Sequence, residues 1–412
     1  MTRLSYILFA PFVAGAGQNL PVISPLRSTS AFLPFSVNNN GSFCRRMASS
    51  VTDLRITRLR SSSSSPMIFL PSLEYIFNMS DPSSLSTYDT YLLDMWGVLH
   101  DGTVAYEGAV DAVRKLKERG GRIMILSNSS KRKEEGIKLL GRLGFDVERD
   151  IDEVITSGEV SFQMLSGDES IAFSWPPLAS ILSSSSSLRP PRALVLGSGA
   201  GDAEYLRAAG WTLSGPSDAD LVVARGTFTI DDGTGAIVSK SKGYGEGAYE
   251  STLGTMLRSA ASRSLPMLVT NPDRVRPDAD LSPMPGTIAD AYEKILGETM
   301  AADDARRLVR RIGKPHTEVY ELALRKKENI RGKASIMIGD ALATDVAGSG
   351  KSNIDSVWVV RDGIHFKDIR ARIENGLDYE DAVLAELEQW NRGDVVGDYA
   401  AQPTFCVPNF KW

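Results

Sequence analysis

The chain has 412 residues, a formal net charge of -5, 42% apolar and 24% charged residues, two cysteines and three histidines. That is chain enough for two domains of ordinary globular composition. Only two cysteines are present, Cys44 near the start and Cys406 near the end, too few for a disulfide framework or a Cys-rich zinc site, and His100, His316 and His365 are scattered, so any metal here should be held by oxygen.

Residues 1–73 carry seven Arg, no Lys and a single acid, Asp53, which leaves -11 on the remainder. An acidic body argues against nucleic acid as a partner. The first 73 residues are also Ser-rich and lack a sustained apolar period, the composition of an organellar targeting leader without order of its own. A short apolar stretch, 4–17, follows Arg3, and Ser30-Ala31-Phe32-Leu33-Pro34 resembles the junction of bipartite plastid leaders in algae with complex plastids. The expected destination is therefore a plastid, with a mitochondrion as the alternative. No stretch reaches the length of a membrane-spanning helix, so no membrane is expected as a partner.

Beyond the leader, an apolar run ends abruptly at Asp94, within Tyr91-Leu92-Leu93-Asp94-Met95-Trp96-Gly97-Val98-Leu99-His100-Asp101-Gly102. This reads as a buried strand that delivers an aspartate to its carboxyl end. Residues 107–119 carry a helical stripe (Ala109, Val110, Val113, Leu116) that stops at Gly120-Gly121. A second apolar strand, 122–126, ends in Ser127-Asn128-Ser129-Ser130, and a helix follows over 131–143. Right-handed crossovers make the two strands parallel, with both polar ends on one edge.

From Asp150 the pattern changes. Thr156-Ser157-Gly158-Glu159 opens a helix, residues 183–187 and Pro190-Pro191 read as an exposed loop, and a strand at 193–196 meets Gly197-Ser198-Gly199-Ala200-Gly201-Asp202. The third glycine of a dinucleotide fingerprint would fall at Asp202, so turn glycines before a helix suffice, and a nucleotide-dependent oxidoreductase has little to rest on. A further strand at 221–224 and a helix at 249–260 complete a small α/β unit over 150–262.

The strand 267–269 ends in Thr270-Asn271-Pro272-Asp273. Gly313-Lys314-Pro315 precedes a helix over 317–324, and the strand 335–338 ends in Gly339-Asp340-Ala341-Leu342-Ala343-Thr344-Asp345. Gly348-Ser349-Gly350-Lys351-Ser352 is not a P-loop, because the first glycine of that motif would fall on Asp345 and the segment follows a helix.

Each polar strand end has an ordinary reading as a cap or a solvated charge, yet together the residue types fit one chemistry. A carboxylate can attack phosphorus. Asp94 and Asp340, with a main-chain carbonyl, offer the hard oxygens that Mg²⁺ prefers. The Ser127 hydroxyl and the Asn128 backbone amide can hold phosphoryl oxygens, and Lys314 can neutralise developing charge and restrain Asp94.

The order Asp94, Ser127, Lys314, Gly339-Asp340…Asp345 resembles the haloacid dehalogenase (HAD) superfamily over about residues 85–370. Thr270-Asn271-Pro272-Asp273 and Gly313-Lys314-Pro315 are similar to strings in NagD-type, nitrophenyl-phosphatase-like and pyridoxal-phosphatase-like members of subclass IIA. The first motif, with Trp96 at its third position, and the aromatic-basic-Trp tail look like one branch of that subclass, largely uncharacterised hydrolases. The resemblance implies an α/β fold: a Rossmann-like core with a parallel sheet (81–149 and 263–395), an inserted C2-type cap (150–262) and a C-terminal tail (396–412). It implies Mg²⁺-dependent hydrolysis of a small phosphorylated metabolite. Asp94 would be the nucleophile, and the Trp96 carbonyl and Asp340 metal ligands. Asp345 would act on the metal through water or hold the site in place, Ser127 and Asn128 would bind phosphate, and Lys314 would bridge Asp94 and phosphate. Glu159, Asn271 and Asp273 are candidates for substrate contact from the cap, which in this subclass often mediates a homodimer.

One departure stands out. Such phosphatases carry a second Asp where this chain has Trp96, and an indole neither accepts nor usefully releases a proton. General acid–base assistance is worth roughly 10²–10⁴ in rate. Asp101 or His100 could substitute, the substrate could carry a good leaving group, or the chain could be a weak catalyst that binds a phosphorylated ligand in a regulatory role.

Overall fold

The computed structural model describes residues 67–78, 88–168, 171, 174–185, 189–199, 201–235, 237–240, 247–276, 282–325, 334–393 and 400–412. The expected leader lies outside these residues up to position 66. No helix among them is long and apolar enough to cross a membrane.

Seven strands form one all-parallel sheet, in the order Ile68–Phe69, Phe405–Val407, Asp355–Val359, Ala334–Gly339, Tyr88–Leu93, Arg122–Ser127 and Glu153–Thr156. Both faces are covered, which is why the central strands are continuous apolar runs. Side chains alternate between the faces. Leu92, Met124, Leu126 and Met337 pack with Val160, Val319 and Tyr320 on one side. Leu93, Ile123, Ile125, Ile336 and Ile338 pack with Val113 and Leu116 of the helix Ala109–Glu118 on the other. From Tyr88–Leu93 the chain runs outward through Arg122–Ser127 to Glu153–Thr156, and later returns on the opposite side as Ala334–Gly339. The strand order therefore reverses between Tyr88–Leu93 and Ala334–Gly339. In an open α/β sheet the ligand crevice opens at such a point, outside the carboxyl ends.

A second sheet is built entirely from the insertion, in the order Val309–Arg311, Met267–Val269, Leu221–Ala224, Arg192–Gly197, Thr229–Asp231 and Ile237–Ser239, with Thr212–Leu213 paired to Arg192–Gly197. The helices Ala248–Ser262 and Pro285–Leu296 supply its core with Leu257, Ala260, Ile288 and Tyr292.

These sheets correct the expected boundaries. The inserted sheet spans 192–311, so Met267–Val269 and Val309–Arg311 leave the core, where 263–395 had placed them, while Glu153–Thr156 joins it from the expected cap 150–262. A short buried parallel strand carries no mark of which sheet it will join. The expected tail also contributes a core strand: Phe405–Val407 lies between Asp355–Val359 and Ile68–Phe69. Residues 67–73, counted with the leader, are thus part of the fold, with Leu70 and Leu73 buried and the Leu73 N–H donating to the Lys411 carbonyl at 3.0 Å. The Ser run begins inside the helix Pro176–Ser185 instead of a loop.

Candidate active site

Asp94 and Asp340 end the two strands that flank the point of reversal. The Asp94 N–H donates to the Ile338 carbonyl at 3.0 Å, so the two ends are tied together. Asp94 Oδ1 accepts from the Met95 N–H at 2.7 Å and from Lys314 Nζ at 2.6 Å. The chain then makes a tight loop. The Leu99 and His100 N–H groups donate to the Met95 carbonyl, and Gly97 donates to His100. Gly97 has φ 81°, and a Cβ there would stand 2.4 Å from the Asp340 carboxylate, so only glycine lets this backbone pass so close.

Asp340 is 2% exposed; its Oδ2 accepts from the Ile364 N–H at 2.9 Å and its carbonyl from the Trp358 indole at 2.9 Å. Asp345 lies in the π-helical turn Leu342–Val346, with Oδ2 accepting from the Ala341 N–H at 3.0 Å and Oδ1 2.7 Å from Lys314 Nζ. Lys314, 2% exposed, thus bridges Asp94 and Asp345. Burial works against its charge, yet Asp345 and Asp94 outweigh this and carry its pKa upward.

Asp94, Asp340 and Asp345 each offer an oxygen within 4.8 Å of the others, and Lys314 is their one close cation among the described residues. Burial, with Asp345 and Asp94 nearby, pushes the pKa of Asp340 well up; burial raises that of Asp345 to about 6 against the pull of Lys314. Three carboxylates against one ammonium leave an excess of buried negative charge, which is costly unless a cation balances it. An all-oxygen donor set with excess charge fits a hard divalent cation.

Ser127 ends its strand at the same edge. The Asn128 side chain is otherwise engaged: Oδ1 accepts the Lys314 N–H at 2.7 Å, while Nδ2 donates to the Lys314 carbonyl at 2.9 Å and to Asp273 Oδ1 at 2.8 Å. It clamps the lysine loop, leaving its main-chain N–H as the expected phosphate donor. The Asp273 N–H in turn donates to Asn271 Oδ1 at 2.8 Å.

Asp101, Glu159 and the Trp96 side chain are engaged elsewhere. The Trp96 indole lies over Gly102, where a Cβ would meet the ring at 2.4 Å, and edge-on to His100 at 5.7 Å. Asp101 is exposed, and its Oδ1 accepts from the Thr103 N–H and hydroxyl and the Val104 N–H at 2.7–2.9 Å. Those bonds, from Val104 first and then Thr103, lower its pKa to about 2, the wrong direction for an acid near neutrality. Glu159 belongs to the core side and pairs with Arg132, which outweighs burial and lowers its pKa. Its apparent place in the cap followed from the misplaced boundary at 150.

Sequence reading missed two supports. The first is Arg225, which pairs with Asp202, lies 3.7 Å over the Tyr205 ring and donates to the Ser130 carbonyl at 3.0 Å, tying the inserted sheet to the Ser127 loop. The second is His365, whose Nε2 accepts the Leu342 N–H at 3.3 Å and whose Nδ1 faces Glu386 at 3.3 Å behind the Asp340–Asp345 turn. No motif marks either residue; only the odd Asp202 in the glycine string hinted at the first.

Family models match two segments, a haloacid dehalogenase-like hydrolase over residues 91–212 and a HAD-hydrolase-like one over 311–387. Among solved structures, the chain is similar to a haloacid dehalogenase-like hydrolase from Brucella suis, at 22% identity, covering 82% of this chain and 99% of that one with a TM-score of 0.53. A possible sugar phosphatase of the HAD superfamily from Cytophaga hutchinsonii gives 19%, 84%, 99% and 0.54. The 4-nitrophenylphosphatase of Thermotoga maritima gives 21%, 79%, 96% and 0.50. No curated protein matched. The chain belongs to the haloacid dehalogenase superfamily of hydrolases. Its α/β insertion lies between the Ser127 strand and Lys314, where the resemblance placed a cap.

Proposed function

We propose that this protein is a Mg²⁺-dependent phosphatase that hydrolyses a small phosphorylated metabolite through a phospho-Asp94 intermediate. The observation that carries the reading is the pairing of Asp94 with buried Lys314 beside Asp340 and Asp345, at the point where the strand order reverses. The solved phosphatases it resembles share this fold, and their substrates lend only a chemical class.

In this reading an Asp94 oxygen attacks phosphorus and the bond to the leaving oxygen breaks. Lys314 holds Asp94 in one orientation and stands where charge develops on the phosphoryl group. The Ser127 hydroxyl and the Asn128 main-chain N–H bind phosphoryl oxygens. Water then cleaves the aspartyl-phosphate, releasing inorganic phosphate and restoring the carboxylate. The Asp94 and Asp340 carboxylates and the Trp96 carbonyl would hold Mg²⁺, with Asp345 beside them. When bound, the ion supplies neutralisation of charge on phosphoryl oxygen. A main-chain carbonyl at position 96 would serve it whatever side chain stands there.

The test is phosphate release by the 412-residue chain with Mg²⁺, over aryl, acyl, sugar and alkyl phosphates. Asp94→Asn should lower turnover on the order of 10⁴–10⁶-fold, as the loss of a nucleophile does. Turnover equal in the two proteins would refute the nucleophile. No turnover in either, with Mg²⁺-dependent binding of phosphate retained, would favour the regulatory reading that Trp96 raises.

A further inference from the structure

Cleavage of a phosphomonoester with a poor leaving group gains from a proton carrier, and the loop after Asp94 does not supply one. Trp96 has no titrating atom. Asp101 caps its own turn, exposed. His100 is 2% exposed with Nδ1 accepting the Gly102 N–H at 2.8 Å, and burial lowers its pKa against Asp101. A carboxyl group from the inserted domain is bonded to the Asn128 side chain, beside the lysine loop.

Asp273 follows the inserted-sheet strand Met267–Val269. Its main chain is pinned by Asn271, and its Oδ1 accepts from Asn128 Nδ2 at 2.8 Å, the same nitrogen that holds the Lys314 carbonyl. The carboxylate is therefore one side chain away from both the phosphate-binding main chain and the lysine loop. Its Oδ2 makes no hydrogen bond among the described residues. An attack in line from Asp94, at the carboxyl edge of the core sheet, drives the leaving oxygen away from that sheet. Asp273 comes from the inserted domain, outside the core sheet.

On the phosphatase reading above, we infer that Asp273 is the acid and base that replaces the missing aspartate at position 96. Protonated, it gives its proton to the leaving oxygen as the P–O bond breaks. As the carboxylate so formed, it takes a proton from the water that cleaves phospho-Asp94, and both groups return to their starting states. Its surroundings suit both steps. Burial raises its pKa to about 7; Asn128 and Lys314 oppose this, and Asp94 and Asp345 add to it. An acid–base group poised near the working pH is the efficient kind.

The test compares the 412-residue chain with Asp273→Asn on 4-nitrophenyl phosphate, whose leaving group needs no proton, and on an alkyl phosphate. The variant should lose about 10²–10⁴-fold on the alkyl ester and far less in the release of 4-nitrophenol. It should show a burst as phospho-Asp94 accumulates, and the fall in alkyl-ester rate above pH about 7 should vanish. Asp273→Glu should restore part of the rate. Equal losses on both substrates without a burst would mean that Asp273 only positions Asn128 and Lys314, and would overturn the assignment. So would unchanged kinetics in a variant of an active wild type. A wild type with no turnover dependent on Asp94 would sink the phosphatase reading itself, and this assignment with it.

Discussion

Two buried charge clusters sit on either side of the Ser127 loop, and they are built on opposite principles. On the insertion side, Arg225 and Asp202 are one cation and one anion, with side chains 4% and 5% exposed, a stacked Tyr205 ring and a carbonyl acceptor at Ser130. On the core side, Asp94, Asp340 and Asp345 share the single Lys314. The first cluster is balanced in charge. The second is left short of positive charge, and burial pushes Asp340 and Asp345 toward protonation. A fold retains unbalanced buried charge where a ligand supplies the balance, and there stability is sacrificed to function.

The comparison can be broken first at the balanced cluster. Arg225→Ala strands a buried Asp202 and should cost about 3–5 kcal/mol of stability in urea unfolding. The apolar pair Arg225→Met with Asp202→Leu should recover most of that loss. A cost near zero for Arg225→Ala would show that the seam does not hold the inserted sheet to the core.

The unbalanced cluster should respond the other way. Without metal, Asp340→Asn should stabilise the chain at pH 8 by about 1–3 kcal/mol, the penalty of an uncompensated buried group. The sign follows from the raised pKa values. A carboxyl whose folded pKa lies above its unfolded one contributes stability at low pH that is lost as pH rises through the folded value. For Asp345 and Asp273 that loss falls between about pH 4 and values of about 6 and about 7. Paired acids such as Glu386, whose pKa His365 lowers, pull in the opposite direction, so the informative quantity is the midpoint with Mg²⁺ minus the midpoint without it. That difference should grow from pH 5 to pH 8 in the wild type and collapse in Asp340→Asn. A Mg²⁺ effect as large in the variant would place the ion elsewhere.

The contrast also explains what could be read in the sequence. Asp94, Ser127 and Asp340 were legible because each stands at the end of a buried apolar run, Asp345 because of its spacing from Asp340, and Lys314 because it sits between a glycine and a proline before a helix. Those are local signals. The division into sheets was less so: Met267–Val269 has the same apolar character as a core strand, and only its pairing with Leu221–Ala224 reveals its sheet. The strands Ile68–Phe69 and Phe405–Val407 are two and three residues long, too short for a period to appear. The Asn128–Asp273 bond spans 145 residues and joins two domains, so nothing near either residue announces it. Arg225 was invisible for the same reason: its partners Asp202 and Ser130 come from separate segments.

Whether Asp94 carries the phosphoryl group can be read directly. The chain, mixed with Mg²⁺ and an acyl phosphate, is quenched in acid within the first turnover and mapped by mass spectrometry. One added phosphoryl group is expected on the peptide containing Asp94, absent from Asp94→Asn and longer-lived in Asp273→Asn. Phosphate release from the wild type with no label at any time point, or a label on another residue, would contradict it.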